Sequence, residues 1–151
     1  LSMHAAESIV ENSELIKPNV EESVWLAIKP IIMSGISMSI AGSSRPTSGA
    51  EHMISHMLDI RCPGRALHGE QCGVGSILTM YLHGGDWRMI RDALANIGAP
   101  TTAEELGVSA DDLVYCMSHA TEIRSDRFTI LGDNGITEDV ARRVAEATEV
   151  I

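Results

Sequence analysis

Residues Ser43 to Gly75 read SSRPTSGAEHMISHMLDIRCPGRALHGEQCGVG and hold three of the six histidines in the chain. His52 and His56 are four residues apart, with Met53, Ile54 and Met57 around them. On a helix that spacing puts both imidazoles on one face, one turn apart. Cys62-Pro63-Gly64 then breaks the pattern, and His68 heads a second apolar segment. A short helix, a tight loop and a returning helix bring three imidazoles together. Neutral imidazole is the commonest side-chain ligand for a cation such as zinc. The same spacing also suits three separate polar positions, each solvated or hydrogen-bonded. A catalytic metal takes about three protein ligands, so spacing alone leaves both readings open.

Working outward, Ser43 to Gly49 is the most loop-like run, with Arg45 set among Ser43, Ser44, Thr47 and Ser48. Hydroxyls, amides and a guanidinium at a helix start suit a phosphate; an ordinary polar connection that caps the next helix has the same composition. Upstream, Leu1 to Ile16 reads as a short helix and Val20 to Ala41 as a long helix, apolar nearly all round and therefore expected to be buried. Pro30 lies inside it, where proline removes a backbone donor and kinks the helix.

Downstream, His68 to Gly84 is mostly apolar, with glycines at 69, 73 and 75 that suggest close packing. His83 reads as a helix-end residue or a cavity residue. Asp86 caps a segment with Trp87, Ile90, Leu94 and Ile97 at helical spacing. Thr102 with Glu105, and Ser109 with Asp112, form capping-box patterns, and Thr137 caps the last helix. Phe128 to Leu131 reads as a brief extended piece. No sustained alternation occurs. The fold class is all-α: a compact multi-helix bundle, with residues 1–151 as a single domain.

Composition narrows the function classes. Aromatics are 3% against 44% hydrophobic residues, so aliphatic side chains and eight methionines must fill the core. A formal charge of −10 offers no basic field to replace the counterions of nucleic acid. No apolar run is expected to reach the roughly 18 residues of a membrane span, and no signal peptide stands out. Cys62, Cys72 and Cys116 show no CxxC spacing, which reads as buried thiols in a reducing compartment.

Read as text, Gly49-Ala50-Glu51-His52 with Ser55-His56, then Leu67-His68-Gly69-Glu70-Gln71, resemble the C-terminal half of the archaeal sn-glycerol-1-phosphate dehydrogenases, relatives of the glycerol dehydrogenases and iron-containing alcohol dehydrogenases. Tyr81-Leu82-His83-Gly84-Gly85-Asp86-Trp87, Ile97-Gly98-Ala99-Pro100-Thr101-Thr102 and Arg127-Phe128-Thr129-Ile130-Leu131-Gly132 continue the match in order, from about Ala41 to Ile151.

The resemblance implies that His52 and His68 are metal ligands and that His56 faces the substrate. It implies an aspartate as third ligand and a nucleotide-binding domain, both preceding this region, so that the chain is the C-terminal domain of a two-domain dehydrogenase. It further implies zinc or another divalent metal, NAD or NADP held mainly by the other domain, and dihydroxyacetone phosphate and sn-glycerol 1-phosphate as substrates. A cytoplasmic homo-oligomer without membrane insertion, serving archaeal ether-lipid synthesis, completes the expectation. No residue of this chain is singled out as catalytic. Glu51 and Glu70 read as exposed helix residues or as carboxylates that orient ligand imidazoles. The alternatives are a related polyol dehydrogenase domain and a helical binding module without catalysis. A closed structural metal site would need four ligands, and only three clustered histidines are seen.

Overall fold

The helices start where side chains satisfy their free amides. Asp86 accepts from the Met89 amide at 3.0 Å, Ser109 from Asp112 at 3.1 Å, and Thr137 from Val140 at 3.3 Å. Two other starts use a glutamate that folds back: Glu51 takes the Gly49 amide at 2.7 Å, and Glu70 takes the Leu67 amide at 2.8 Å. The computed structural model describes residues 1–151 and contains seven α-helices and no strand. They are α1 (Ser2–Glu11), α2 (Glu21–Ala41), α3 (Ala50–Arg61), α4 (His68–Leu82), α5 (Trp87–Asn96), α6 (Ala110–His119) and α7 (Glu138–Ala147). Single 3₁₀ turns occupy Arg45–Thr47 and Ala120–Glu122.

The core lies between α3, α4, α6 and α7. Ile54, Leu58, Ile77, Leu78, Leu113 and Met117 are fully enclosed there. Helix α3 packs along α4 on one side and α6 on another, and α5 closes the far side of α4. The closest approach falls at Gly75. A Cβ built there would stand 3.1 Å from Cα of Glu51, so α3 backbone rests directly on α4. That contact sets the spacing between the helix that carries His52 and the helix that carries His68.

Helices α1 and α2 form a separate pair. Ser23 accepts from the Lys17 amide at 2.8 Å and donates to the Leu15 carbonyl at 3.0 Å, which fixes the turn between them. Lys17 and Ser13 in turn bond Asn96 at the end of α5.

Several expectations change. Helix α2 is not buried: Ile31 is 67% and Ile40 75% exposed, and only Ser23 and Pro30 are enclosed. Its apolar character is real, and by length and composition it is long and apolar enough to cross a membrane, contrary to the reading that no run reaches that length. It stays bare because only α1 and the Arg45–Thr47 turn lie against it. The first helix ends at Glu11 rather than Ile16, and Phe128–Leu131 forms no strand, with Phe128 outward and a turn at Ile130 and Leu131. Of the three thiols, only Cys116 is buried.

Gly75→Ala sets a propensity gain of about 1 kcal/mol against an overlap with backbone that costs about 1–3 kcal/mol. Its denaturant midpoint falls. Gly69→Ala, in the same helix with nothing within 4 Å of the added carbon, raises it.

Candidate metal centre

Two imidazoles meet across the α3–α4 contact. The rings of His52 and His68 lie with centroids 5.1 Å apart at 66°, and His56 stacks on His68 at 5.4 Å. The three histidines picked out by spacing therefore converge, with His52 half-buried and His56 and His68 exposed.

Each ring of the central pair has one nitrogen committed. Nδ1 of His52 lies 2.8 Å from Oε1 of Glu51. Burial alone would raise the Glu51 pKa, but the His52 bond and the Gly49 amide more than offset it and hold the group below its ordinary value. An ionised carboxylate only accepts, so Nδ1 of His52 stays protonated and Nε2 is the nitrogen left for a metal, which must displace any proton there.

For His68 the logic runs through Ser55. The Ser55 hydroxyl donates to Oε1 of Gln71 at 2.5 Å, and Gln71 donates to Asp59 at 3.0 Å. Ser55 has one hydrogen, already spent on Gln71, so at 2.8 Å from Nδ1 of His68 it must accept. His68 therefore also presents Nε2. Hydrogen-bonding the far nitrogen to a carboxylate or hydroxyl is how proteins fix the tautomer of a metal-binding histidine.

A third donor stands beside them. Cys72 Sγ is 3.6 Å from Nε2 of His68, and donor atoms of His52, His68 and Cys72 lie within 4.8 Å of one another. With Zn–S near 2.3 Å and Zn–N near 2.0–2.1 Å, a tetrahedral ion would hold sulfur and nitrogen about 3.6 Å apart. The donor set fits a borderline divalent cation. His56, Asp59 and His68 form a second group within the same reach, all on the surface.

The Cys72 sulfur, followed by the Glu51 carboxylate, pushes the His52 pKa up to about 10. Burial pushes the Cys116 thiol up to about 12, which keeps it out of ligand chemistry at neutral pH.

Spacing found His52, His56 and His68. It missed Cys72, read only against CxxC patterns, although four residues after His68 on a helix means one turn along the same face. Ser55 and Gln71, fully enclosed polar residues, were missed too. Of the two readings open for Glu51 and Glu70, Glu51 is half-buried and orients His52, whereas Glu70 caps α4 and takes no part in the cluster.

Fold and site together describe an all-α chain with a candidate metal centre built on two helices. No family model matches the chain. Among curated proteins, it is 56% identical over all 151 residues to a glycerol-1-phosphate dehydrogenase (NAD(P)+) of Methanothermobacter thermautotrophicus, covering 44% of that protein. It is 57% identical over 151 residues to the Methanosarcina acetivorans protein of that name, covering 42% of it. Against the one from Halorubrum lacusprofundi it is 56% identical over 154 residues, covering 43%. The likeness spans the whole chain rather than starting near Ala41. Over its whole length the chain is similar to the archaeal glycerol-1-phosphate dehydrogenases, and it spans less than half the length of these relatives.

Ser55→Ala removes the acceptor of His68 Nδ1–H and leaves Gln71 Oε1 without its donor. Zinc affinity, measured by competition with a chromogenic chelator, falls about 10–100-fold, and stability falls about 1–3 kcal/mol. A second outcome concerns pH. A raised His52 pKa contributes stability that is complete below its ordinary 6.5 and is lost as pH climbs to about 10. Denaturant titrations of metal-free protein across that window show this decline, and His52→Gln flattens it.

Proposed function

We propose that this chain is the metal- and substrate-binding part of an NAD(P)-dependent glycerol-1-phosphate dehydrogenase. In this reading the enzyme moves hydride reversibly between the nicotinamide and dihydroxyacetone phosphate, and its product is the glycerol backbone of archaeal ether lipids. The observation that carries it is the pair of imidazoles whose Nε2 atoms are both freed by a partner on Nδ1 and converge across α3 and α4. The names and high identity of the relatives support the substrate and the cofactor.

His52 and His68 would hold the ion, zinc in the first instance. A divalent ion there supplies Lewis-acid polarisation of a carbonyl and stabilises the negative charge that develops on oxygen. Glu51 and Ser55 keep the two rings in the ligating tautomer and orientation. His56, one turn from His52 and stacked on His68, is exposed and free to hydrogen-bond the substrate or carry its proton. The α3 and α4 backbones, in contact at Gly75, hold these groups to a fixed separation. The nucleotide is assigned to residues outside the 151, because Gly73-x-Gly75 sits within a helix and does not follow a strand. The full enzyme is taken to be cytoplasmic and homo-oligomeric.

Replacement should separate the roles of the histidines in the full-length enzyme. His52→Ala or His68→Ala loses bound metal and activity together. His56→Ala keeps its metal and loses about 10²–10⁴-fold in kcat/KM. Elemental analysis beside steady-state kinetics reads both, and full metal content in His52→Ala or His68→Ala would overturn the assignment. The 151-residue chain by itself, given dihydroxyacetone phosphate and NADH, shows no turnover.

A further inference from the structure

Three sequence segments that the metal centre leaves unused converge on one small pocket. The loop before α3 contributes Arg45, Ser48 and Gly49; the end of α4 contributes His83; the turn after Asp126 contributes Arg127 and Thr129. The cavity measures about 210 Å³, the share of about seven water molecules. That suits a compact anion with part of its hydration and is small for a nucleotide.

The two guanidinium groups make the pocket unusual in a chain of net charge −10. Elsewhere four arginines pair with carboxylates: Arg61–Asp112, Arg91–Glu149, Arg124–Asp126 and Arg142–Asp111. Arg127 is held instead by neutral oxygens: its Nη1 donates to the Ser48 carbonyl at 2.9 Å and the Ser48 hydroxyl at 3.2 Å, and its Nη2 donates to Ser44 at 3.2 Å. These bonds, made across some eighty residues of sequence, fix the guanidinium without cancelling its charge. The Arg45 guanidinium is exposed and hydrogen-bonds to nothing in the chain. Glu51 is the one carboxylate in the wall, and its Oε1 is already taken by the Gly49 amide and the His52 ring.

Glu51 also joins the two sites. It forms part of the pocket and holds the first imidazole of the candidate metal centre.

We propose that Arg45, Arg127 and His83 form an anion subsite that takes the phosphate of a small phosphorylated substrate. The identity of that substrate rests on the dehydrogenase reading; the subsite itself rests on the pocket. Arg127, held in place, and Arg45, free to turn onto the ligand, give one dianion charge-assisted hydrogen bonds, the strong kind.

Inorganic phosphate, titrated into the 151-residue chain and followed by calorimetry, binds at millimolar concentration or tighter. Arg45→Gln and Arg127→Gln each weaken it about tenfold or more. Arg45 is exposed and makes no guanidinium contact, so its variant folds as the parent does. Arg127→Lys keeps the charge, loses the fork and falls between. His52→Ala leaves phosphate binding intact. In the full-length enzyme, Arg45→Gln raises KM for dihydroxyacetone phosphate and leaves kcat/KM for unphosphorylated dihydroxyacetone unchanged. Phosphate binding that is absent, or indifferent to both arginine variants, overturns the subsite. Arginine-dependent phosphate binding in a full-length enzyme that holds no divalent metal keeps the subsite and overturns the metal-dependent dehydrogenase reading instead.

Discussion

Everything at the candidate centre depends on where two protons sit. An imidazole with a free Nδ1 is a mixture of tautomers and rotates about its χ2 axis. One whose Nδ1–H is held by an acceptor has a single lone pair in a single direction. Glu51 does this for His52, and Ser55, itself turned by Gln71, does it for His68. The two acceptors differ in kind. A half-buried carboxylate carries charge and raises the basicity of its ring; a hydroxyl fixes direction with little effect on charge. The pair thus has one strongly proton-loving member, and a metal ion arriving there must displace its proton.

That arrangement needs α3 and α4 at a fixed distance, and the packing supplies it with little tolerance. Gly75 lies against the backbone of Glu51, and the residues on either side of the site, Ile54, Leu58, Ile77 and Leu78, are fully enclosed. Helix α6 seats α3 from behind through Leu113 and Met117. The exposed histidines therefore stand on the most rigid part of the molecule, where small adjustments of side-chain direction are costly. The α1–α2 pair contributes nothing to this scaffold beyond a few hydrogen bonds to α5.

Spacing made the histidines legible because a helix repeats, and residues four apart share a face whatever surrounds them. It likewise made the caps at Asp86, Ser109 and Thr137 legible, since those bonds are local. What covers a helix is another matter. The apolar run from Val24 to Ile40 specifies a helix that prefers to be covered, yet burial is a property of neighbours, and the residues that pack on α2 are few. Arg45 and Arg127 were read in separate motifs because they are 82 positions apart in sequence, and only the tertiary fold brings them to one pocket. Ser55 carried a readable signal, a hydroxyl between Ile54 and His56 in an otherwise apolar helix face. Its role needed the return of α4 to become visible.

The hydrogen bonds that run from His68 through Ser55 and Gln71 to Asp59 resemble a relay, but one link makes them an insulator. A hydroxyl can receive a proton on one lone pair and release another. A carboxamide accepts on oxygen and donates from nitrogen, so passing a proton onward would require the imidic acid form of Gln71. Protons that reach His68 are therefore not handed through Gln71 to Asp59, even though that carboxylate lies within 4.8 Å of the donor atoms of His56 and His68. Exchange with solvent at this centre has a direct route instead, because His68 and the His56 ring stacked on it are both open to water.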